Sequence, residues 1–227
     1  MRTPPGSCDF LALWDDGAGR HPLDRALGLI AAIEGTPREQ AAALSIDRRD
    51  RALYRITARV FGERISLIAT CPACTGETEL TFTAKDALAV PEPAARIELA
   101  GGNAWCRLPS SHDLAAALTA PDPEDALFAA VIEAEVADAG LRAEAKRTLA
   151  AQAGLADLSL AHRCERCGKD CETAFDVLDY LWRRIVVEAR RLLREVHLIA
   201  RAYGWTSETV LALSPARRAA HLALIEA

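Results

Sequence analysis

Phe, Trp and Tyr together make up only 5% of this chain, and it has a single methionine. It also lacks the short motifs that announce common chemistries: no HExxH, no GxxxxGK[ST], no GxGxxG and no GxSxG. Those absences argue against a zincin, a P-loop nucleotide site, a dinucleotide fold and a nucleophile elbow. No apolar stretch approaches the roughly 18–20 residues that a bilayer span requires; the best, Leu27 to Ile33, is far shorter. The opening MRTPPGSCDF has no signal-peptide apolar region. A cytoplasmic protein with no membrane partner is therefore expected. Positive charge is in short supply too: 27 Lys and Arg against 32 Asp and Glu leave a net −5, so long-range attraction to nucleic acid is not expected. The histidines (His21, His112, His162, His197 and His221) are scattered, and Asp15-Asp16 and Asp122/Glu124/Asp125 have no partner base. Solvated helix starts account for the acidic pairs. With no catalytic constellation, a non-enzymatic protein is expected.

What the chain does have is cysteine in a repeated frame. CPACTGETELTF and CERCGKDCETAF both read Cys, two residues, Cys, four residues, Glu, two residues, Phe. The matching positions are Cys71, Cys74, Glu79 and Phe82 against Cys164, Cys167, Glu172 and Phe175. Two CxxC turns in matched frames predict two hairpin knuckles, each offering two thiolates to one tetrahedral Zn2+. Paired cysteines in a reducing compartment are more often metal ligands than disulfides. The predicted ligands are Cys71, Cys74, Cys164 and Cys167. Such a shell has no open position, so the ion is structural. Of the remaining cysteines, Cys8 falls in a frayed terminus and Cys106 in an apolar run that reads as core. Cys171, separated from Cys167 by three residues, stays open as a substitute ligand, and so does His162, two before Cys164.

Half the residues are apolar, and Ala and Leu dominate, which favours helices. Residues 1–20 read as a flexible N-terminus and 21–63 as helices. Leu23, Leu27, Ile30 and Ile33 recur at helical spacing before the stop at Gly35. Thr36-Pro37-Arg38-Glu39 opens a second helix, and Ser45 caps a third that ends at Gly62. Residues 64–180 form a split zinc-ribbon-like unit: strand, cysteine turn, strand, twice. A hairpin at Arg96–Leu99 and Trp105–Leu108 turns through Gly101-Gly102-Asn103. A helical insertion occupies about 110–155, with one helix running from Pro123 to Gly140 through Leu127, Val131, Ile132 and Val136, and another from Arg142 to Ala153. The fold class expected is α+β: mostly helical, with a small antiparallel zinc-ribbon-like β unit, a long C-terminal helix and two short helices after it, residues 181–227 forming the C-terminal helical region.

In the long helix Leu178, Trp182, Ile185, Ala189, Leu192, Val196, Ile199 and Tyr203 alternate by four and three residues, a heptad seam. Leu192, Val196, Ile199, Tyr203 and Trp205 are the expected partner-binding groove or homodimer surface; the plainer alternative packs the seam on the N-terminal helices. Arg183, Arg184, Arg190, Arg191, Arg194 and Arg201 stud the same helix among acids and read as a solvated face.

Several stretches together resemble a known family. They are Arg48-Arg49-Asp50, Phe61-Gly62 leading to the first CPxC, Arg107-Leu108-Pro109-Ser110 with Asp113-Leu114, Trp182, Glu195-Val196-His197, Tyr203-Gly204-Trp205, and Leu213-Ser214-Pro215-Ala216-Arg217-Arg218. From about residue 22 to the end the chain is similar to the T4-type baseplate hub assembly chaperones of contractile phage tails and contractile injection systems. The resemblance implies a non-enzymatic assembly factor or chaperone whose partners are baseplate or hub proteins. A zinc-ribbon nucleic-acid-binding regulator is the alternative. A third reading, a catalytic zinc with His162 in place of one thiolate, needs fewer than four sulfur ligands.

Overall fold

A computed structural model describes residues 6–99, 104–134 and 139–226. Four helices come first: α1 (Ser7–Gly17), α2 (Pro22–Glu34), α3 (Arg38–Ala43) and α4 (Ile46–Phe61). The first hairpin, β1 (Arg64–Thr70) and β2 (Glu77–Thr83), leads into the short α5 (Ala84–Leu88). A lobe then runs through β3 (Ile97–Glu98), β4 (Trp105–Cys106), α6 (Ser111–Leu118), α7 (Pro123–Val131), β5 (Ile132–Glu133), α8 (Ala139–Ala151) and a 3-10 turn, Gly154–Asp157. The second hairpin is β6 (Leu158–Arg163) and β7 (Asp170–Phe175), and the chain closes with α9 (Val177–Tyr203), α10 (Ser207–Ala212) and α11 (Pro215–Glu226). The fold is thus α+β, with helices dominant and three small antiparallel sheets.

The terminators act as the residue types predict. Gly35 and Gly204 take left-handed φ values of 78° and 71° and close α2 and α9. Ser45, Asp122 and Thr206 cap α4, α7 and α10 through side-chain oxygens. One core gathers Leu27, Ile30, Leu53, Ile56, Leu181 and Ile185 from α2, α4 and α9, with Phe175 of β7 at its edge. Residues 181–227 are consequently not a region apart: the first half of α9 belongs to the N-terminal helical layer, as the plainer reading of the seam had it. A smaller cluster joins Ile97, Leu99, Cys106 and Ala145 inside the lobe, which places Cys106 in a core as expected.

Two expectations fail. The flexible stretch expected over residues 1–20 does not hold for residues 7–17, because α1 buries Phe10 and Leu13 in the main core. Its last residue, Gly17, lies so close to Trp182 that a Cβ there would sit 2.4 Å from the indole. Arg25 stacks over that ring, 4.7 Å from its centroid, and donates to Gly17 O at 3.0 Å. Nor does the Pro123 helix reach Gly140. It stops at Val131, and Ile132–Glu133 pairs with Cys106 and Trp105 as a third strand; backbone pairing outweighs a helical pattern that continues in sequence. Gly140 lies within α8. Val136 and the Gly101-Gly102-Asn103 turn lie outside the described residues.

A buried polar node holds both feet of the lobe to α4. Asp47, fully buried, accepts from Arg51 Nε at 2.6 Å and from Leu155 N at 2.7 Å. Arg51 donates its remaining nitrogens to Leu88 O and Val90 O at 3.3 and 2.8 Å. Three segments far apart in sequence thereby converge on the Asp47–Arg51 pair, whose hydrogen bonds satisfy it out of water.

Candidate metal centre

Each knuckle begins as an alternating strand pair. β1 and β2 pair from Ile65↔Phe82 to Thr70↔Glu77, and β6 and β7 from Leu158↔Phe175 to Arg163↔Asp170. Adding 93 to the residue numbers of these six pairs of the first register gives the second. The six-residue turns match as well. Cys71 N donates to Gly76 O and Cys164 N to Lys169 O, both at 2.9 Å; Thr75 N donates to Cys71 O and Gly168 N to Cys164 O, again both at 2.9 Å. The fifth turn residue needs a left-handed backbone in both: Gly168 has φ 74°, and Thr75 takes φ 56° despite its branched Cβ.

The repeat brings the turns face to face. Phe82 and Phe175, matched by the same offset, meet edge to face with centroids 5.1 Å apart. Arg166 Nη1 donates to Cys74 O at 3.1 Å, and Glu165 N to Thr78 Oγ1 at 3.4 Å. The turns approach so closely that a Cβ on Gly76 would sit 2.8 Å from that of Arg166. Cross-hairpin partners such as Arg166 and Thr78 are not identifiable from spacing; only the offset of 93 hints at which positions face each other.

Cys71, Cys74, Cys164 and Cys167 converge, with all four sulfurs within 4.8 Å of one another. Cys71 Sγ is 3.8 Å from Cys167 Sγ, and Cys74 Sγ is 3.7 Å from Cys164 Sγ. A tetrahedral ion bound to thiolates at about 2.3 Å has ligand–ligand edges of about 3.8 Å, the length of the two cross-hairpin edges, so the quartet could hold a metal. Cys71 and Cys164, the first cysteines of the turns, are buried; Cys74 is half-buried and Cys167 exposed.

The electrostatics also suit a cation. Backbone N–H groups of Ala73 and Cys74 aim at Cys71 Sγ and lower its pKa to about 6. The N–H groups of Cys167 and Arg166 lower Cys164 in the same way. The Gly76 N–H pulls Cys74 down, but the neighbouring sulfurs, Cys167 first, outweigh it and push that thiol up to about 12. Four sulfurs this close cannot all be anionic unless a positive ion shares the site.

His162 stands outside the quartet. Its Nδ1 lies 3.3 Å from Leu160 O, and its Nε2 is buried without a hydrogen-bond partner. Cys171 comes nearer, with Sγ 3.8 Å from Cys71 Sγ. The quartet can therefore hold a metal through four sulfurs, joining segments about 90 positions apart in the chain.

No protein-family profile, curated protein or solved structure matches the chain. Among the described residues no helix is long and apolar enough to cross a membrane.

The expected partner surface is largely used up within the chain. Leu192 is fully buried as part of the main core, and α10 and α11 fold back on α9, where Ile199 is fully buried and Val196 half-buried. Tyr203 stacks on Trp205 at 5.0 Å, and His221 of α11 meets both rings edge-on. Glu195 accepts from Arg218, which is fully buried and held at 2.8 Å, and from Arg191. The groove reading fails for Leu192 and Ile199 for a physical reason: their apolar area is already out of water. The terminal residues Leu213 to Arg218 form the latch, with Arg218 also donating to Leu213 O.

Proposed function

We propose that the protein is a zinc-clamped, non-enzymatic assembly factor for the baseplate or hub of a contractile tail. The observation that carries the first half is the sulfur quartet. An all-thiolate tetrahedron is saturated, so it offers neither a site for substrate nor a reactive water, and its role is to fix shape. The likeness to hub assembly chaperones, carried by the motifs from Arg48 to Arg218, names the process. Two of those motifs have structural work that suits a rigid body: Arg107 grips Asp113 with a two-toothed contact at 2.7 and 3.1 Å, and Arg218 latches α11.

An assembly factor also needs a face for its client. On α9, opposite the buried seam, Arg183, Val187, Arg190, Arg194, His197 and Arg201 follow one another at steps of three and four, all exposed. Arg190, Arg194 and Arg201 have no acidic partner among the described residues. At 1.5 Å per residue they span about 16 Å. Two copies meeting on this row would oppose guanidinium to guanidinium, so the face suits an acidic client rather than a homodimer.

Native mass spectrometry should find one zinc per chain, and X-ray absorption four sulfurs at about 2.3 Å; nitrogen or oxygen in the shell would remove the structural reading. Hub proteins should be captured by the wild type and lost from the Arg190→Glu/Arg194→Glu/Arg201→Glu variant. The arginine row is also what favours the nucleic-acid alternative, and salt-sensitive binding of an oligonucleotide, with no capture of hub proteins, would install it instead.

A further inference from the structure

We propose that Cys171 is a reserve ligand of the metal centre, exchanging with Cys167. The proposal rests on the metal reading above.

The repeat shows why this thiol is available. Cys171 of β7 corresponds to Thr78 of β2 by the offset of 93. The Thr78 hydroxyl accepts from Glu165 N, tying its own hairpin to the opposite turn. The reciprocal donor would be the nitrogen of residue 72. That residue is Pro72, which has no N–H. Cys171 is thereby released from the cross-hairpin bond that its counterpart makes.

Its sulfur is directed to the cluster instead, 3.8 Å from Cys71 Sγ. Cys71 lies 3.8 Å from Cys167 as well, so it has two sulfurs of the second hairpin at tetrahedral edge length. The two contenders differ in surroundings, Cys167 exposed and Cys171 half-buried. Cys171 is not within the quartet's mutual 4.8 Å, so it enters by a side-chain swing from Lys169 O, 3.5 Å away.

In the exchange the metal–sulfur bond to Cys167 breaks and the bond to Cys171 forms. The proton leaving the Cys171 thiol passes to the released Cys167 thiolate. The ion keeps four thiolates throughout and nothing is oxidised or reduced. When an electrophile takes Cys167 instead, the thiolate expels the electrophile's leaving group and the Cys171 proton passes to solvent, so the clamp tolerates loss of its exposed ligand.

Cobalt(II) in place of zinc reports the shell by its thiolate charge-transfer absorption. In full-length protein, Cys167→Ala should keep a four-sulfur spectrum and bind cobalt within about tenfold of wild type. Cys171→Ala should match wild type. The Cys167→Ala/Cys171→Ala double variant should lose more than about 100-fold, beyond what an outer-shell contact is worth. If the single Cys167 variant is as weak as the double, Cys171 is no ligand and the proposal falls. If wild type takes up neither cobalt nor zinc, the metal reading falls and takes this with it. A variant that fails to fold leaves a second route: zinc-loaded wild type treated with limiting iodoacetamide should keep its zinc after Cys167 is alkylated, whereas Cys171→Ala should release it. Zinc loss in step with Cys167 alkylation in wild type would equally overturn the exchange.

Discussion

Removing the metal is the most direct perturbation, and its cost can be worked from the chain path. A metal held by the quartet would join Cys71 and Cys74 to Cys164 and Cys167, segments about 90 positions apart. Closing a loop of about 100 residues in the unfolded chain is worth about 4.7 kcal/mol in chain entropy. Part of that closure persists without the ion. The Phe82–Phe175 contact, the Arg166 bond to Cys74 O and the Asp47 node still hold the hairpins and their feet. The expected loss is therefore about 2–4 kcal/mol, a drop of about 5–15 °C in Tm for a chain of this size. The assay is thermal unfolding followed by circular dichroism, on loaded protein and on protein stripped by a chelator, with metal content measured in both. Amide exchange should accelerate first at Cys71 and Cys164, whose N–H groups close the turns. A Tm that moves by less than about 2 °C in verified metal-free protein would refute the reasoning, since the hairpins would then be held by side-chain contacts alone.

Three further outcomes are expected. Arg218→Ala should cost about 3 kcal/mol in urea unfolding, because it strands Glu195 in a buried site with only Arg191 left to it, whereas Arg201→Ala should change stability by less than about 0.5 kcal/mol; equal effects would unseat the latch. Thr75→Gly should stabilise by about 0.5–1 kcal/mol, since it relieves a left-handed branched residue at the cost of chain entropy and of the hydroxyl bond to Cys74 O; a loss would mean that the hydroxyl bond outweighs the strain. Burial pushes the Asp113 carboxyl up, but the Arg107 fork and the Ser110 donors outweigh it and hold the group down at about 2. A depressed carboxylate contributes fully above its ordinary value near 4 and loses that contribution as pH falls through about 2. Asp113→Asn should accordingly cost about 1–2 kcal/mol at pH 7 and flatten the acid limb of a pH–stability curve, and an unchanged acid limb would count against the Arg107–Asp113 contact.

The hairpins were legible because their signals are local. Alternation in Arg64–Thr70 and Glu77–Thr83, a CxxC between, and the same frame 93 residues on specify both the strands and which tips meet. Helix ends at Gly35, Gly62 and Gly204 were legible for the same reason. What escaped depends on distant neighbours. Asp47 sits among charged residues at a helix start, where an exposed acid is the ordinary reading, and its partners at Leu155, and through Arg51 at Leu88 and Val90, leave no mark nearby. Arg218 reads as solvated for the same reason. The helical pattern through Val131 and Ile132 meets no glycine or proline before residue 139, so only the pairing with β4 ends it. In the seam, periodicity announces a buried face but not which chain buries it, and Leu192 and Ile199 turned out to be covered from within. The N-terminal helix left a usable trace: Phe10, Leu13 and Trp14 stand at helical spacing ahead of Gly17.

The matched hairpins also determine how the lobe from residue 84 to 157 is attached. It leaves from the end of one hairpin and returns at the start of the other, and the two tips are clasped together. A protease nick within that stretch would cut the polypeptide without parting it, since the halves would remain joined through the sulfur cluster and the shared helical core. Insertions or deletions within the lobe, clear of Leu88, Val90 and Leu155 at its feet, should thus be borne more easily than a single change in either turn.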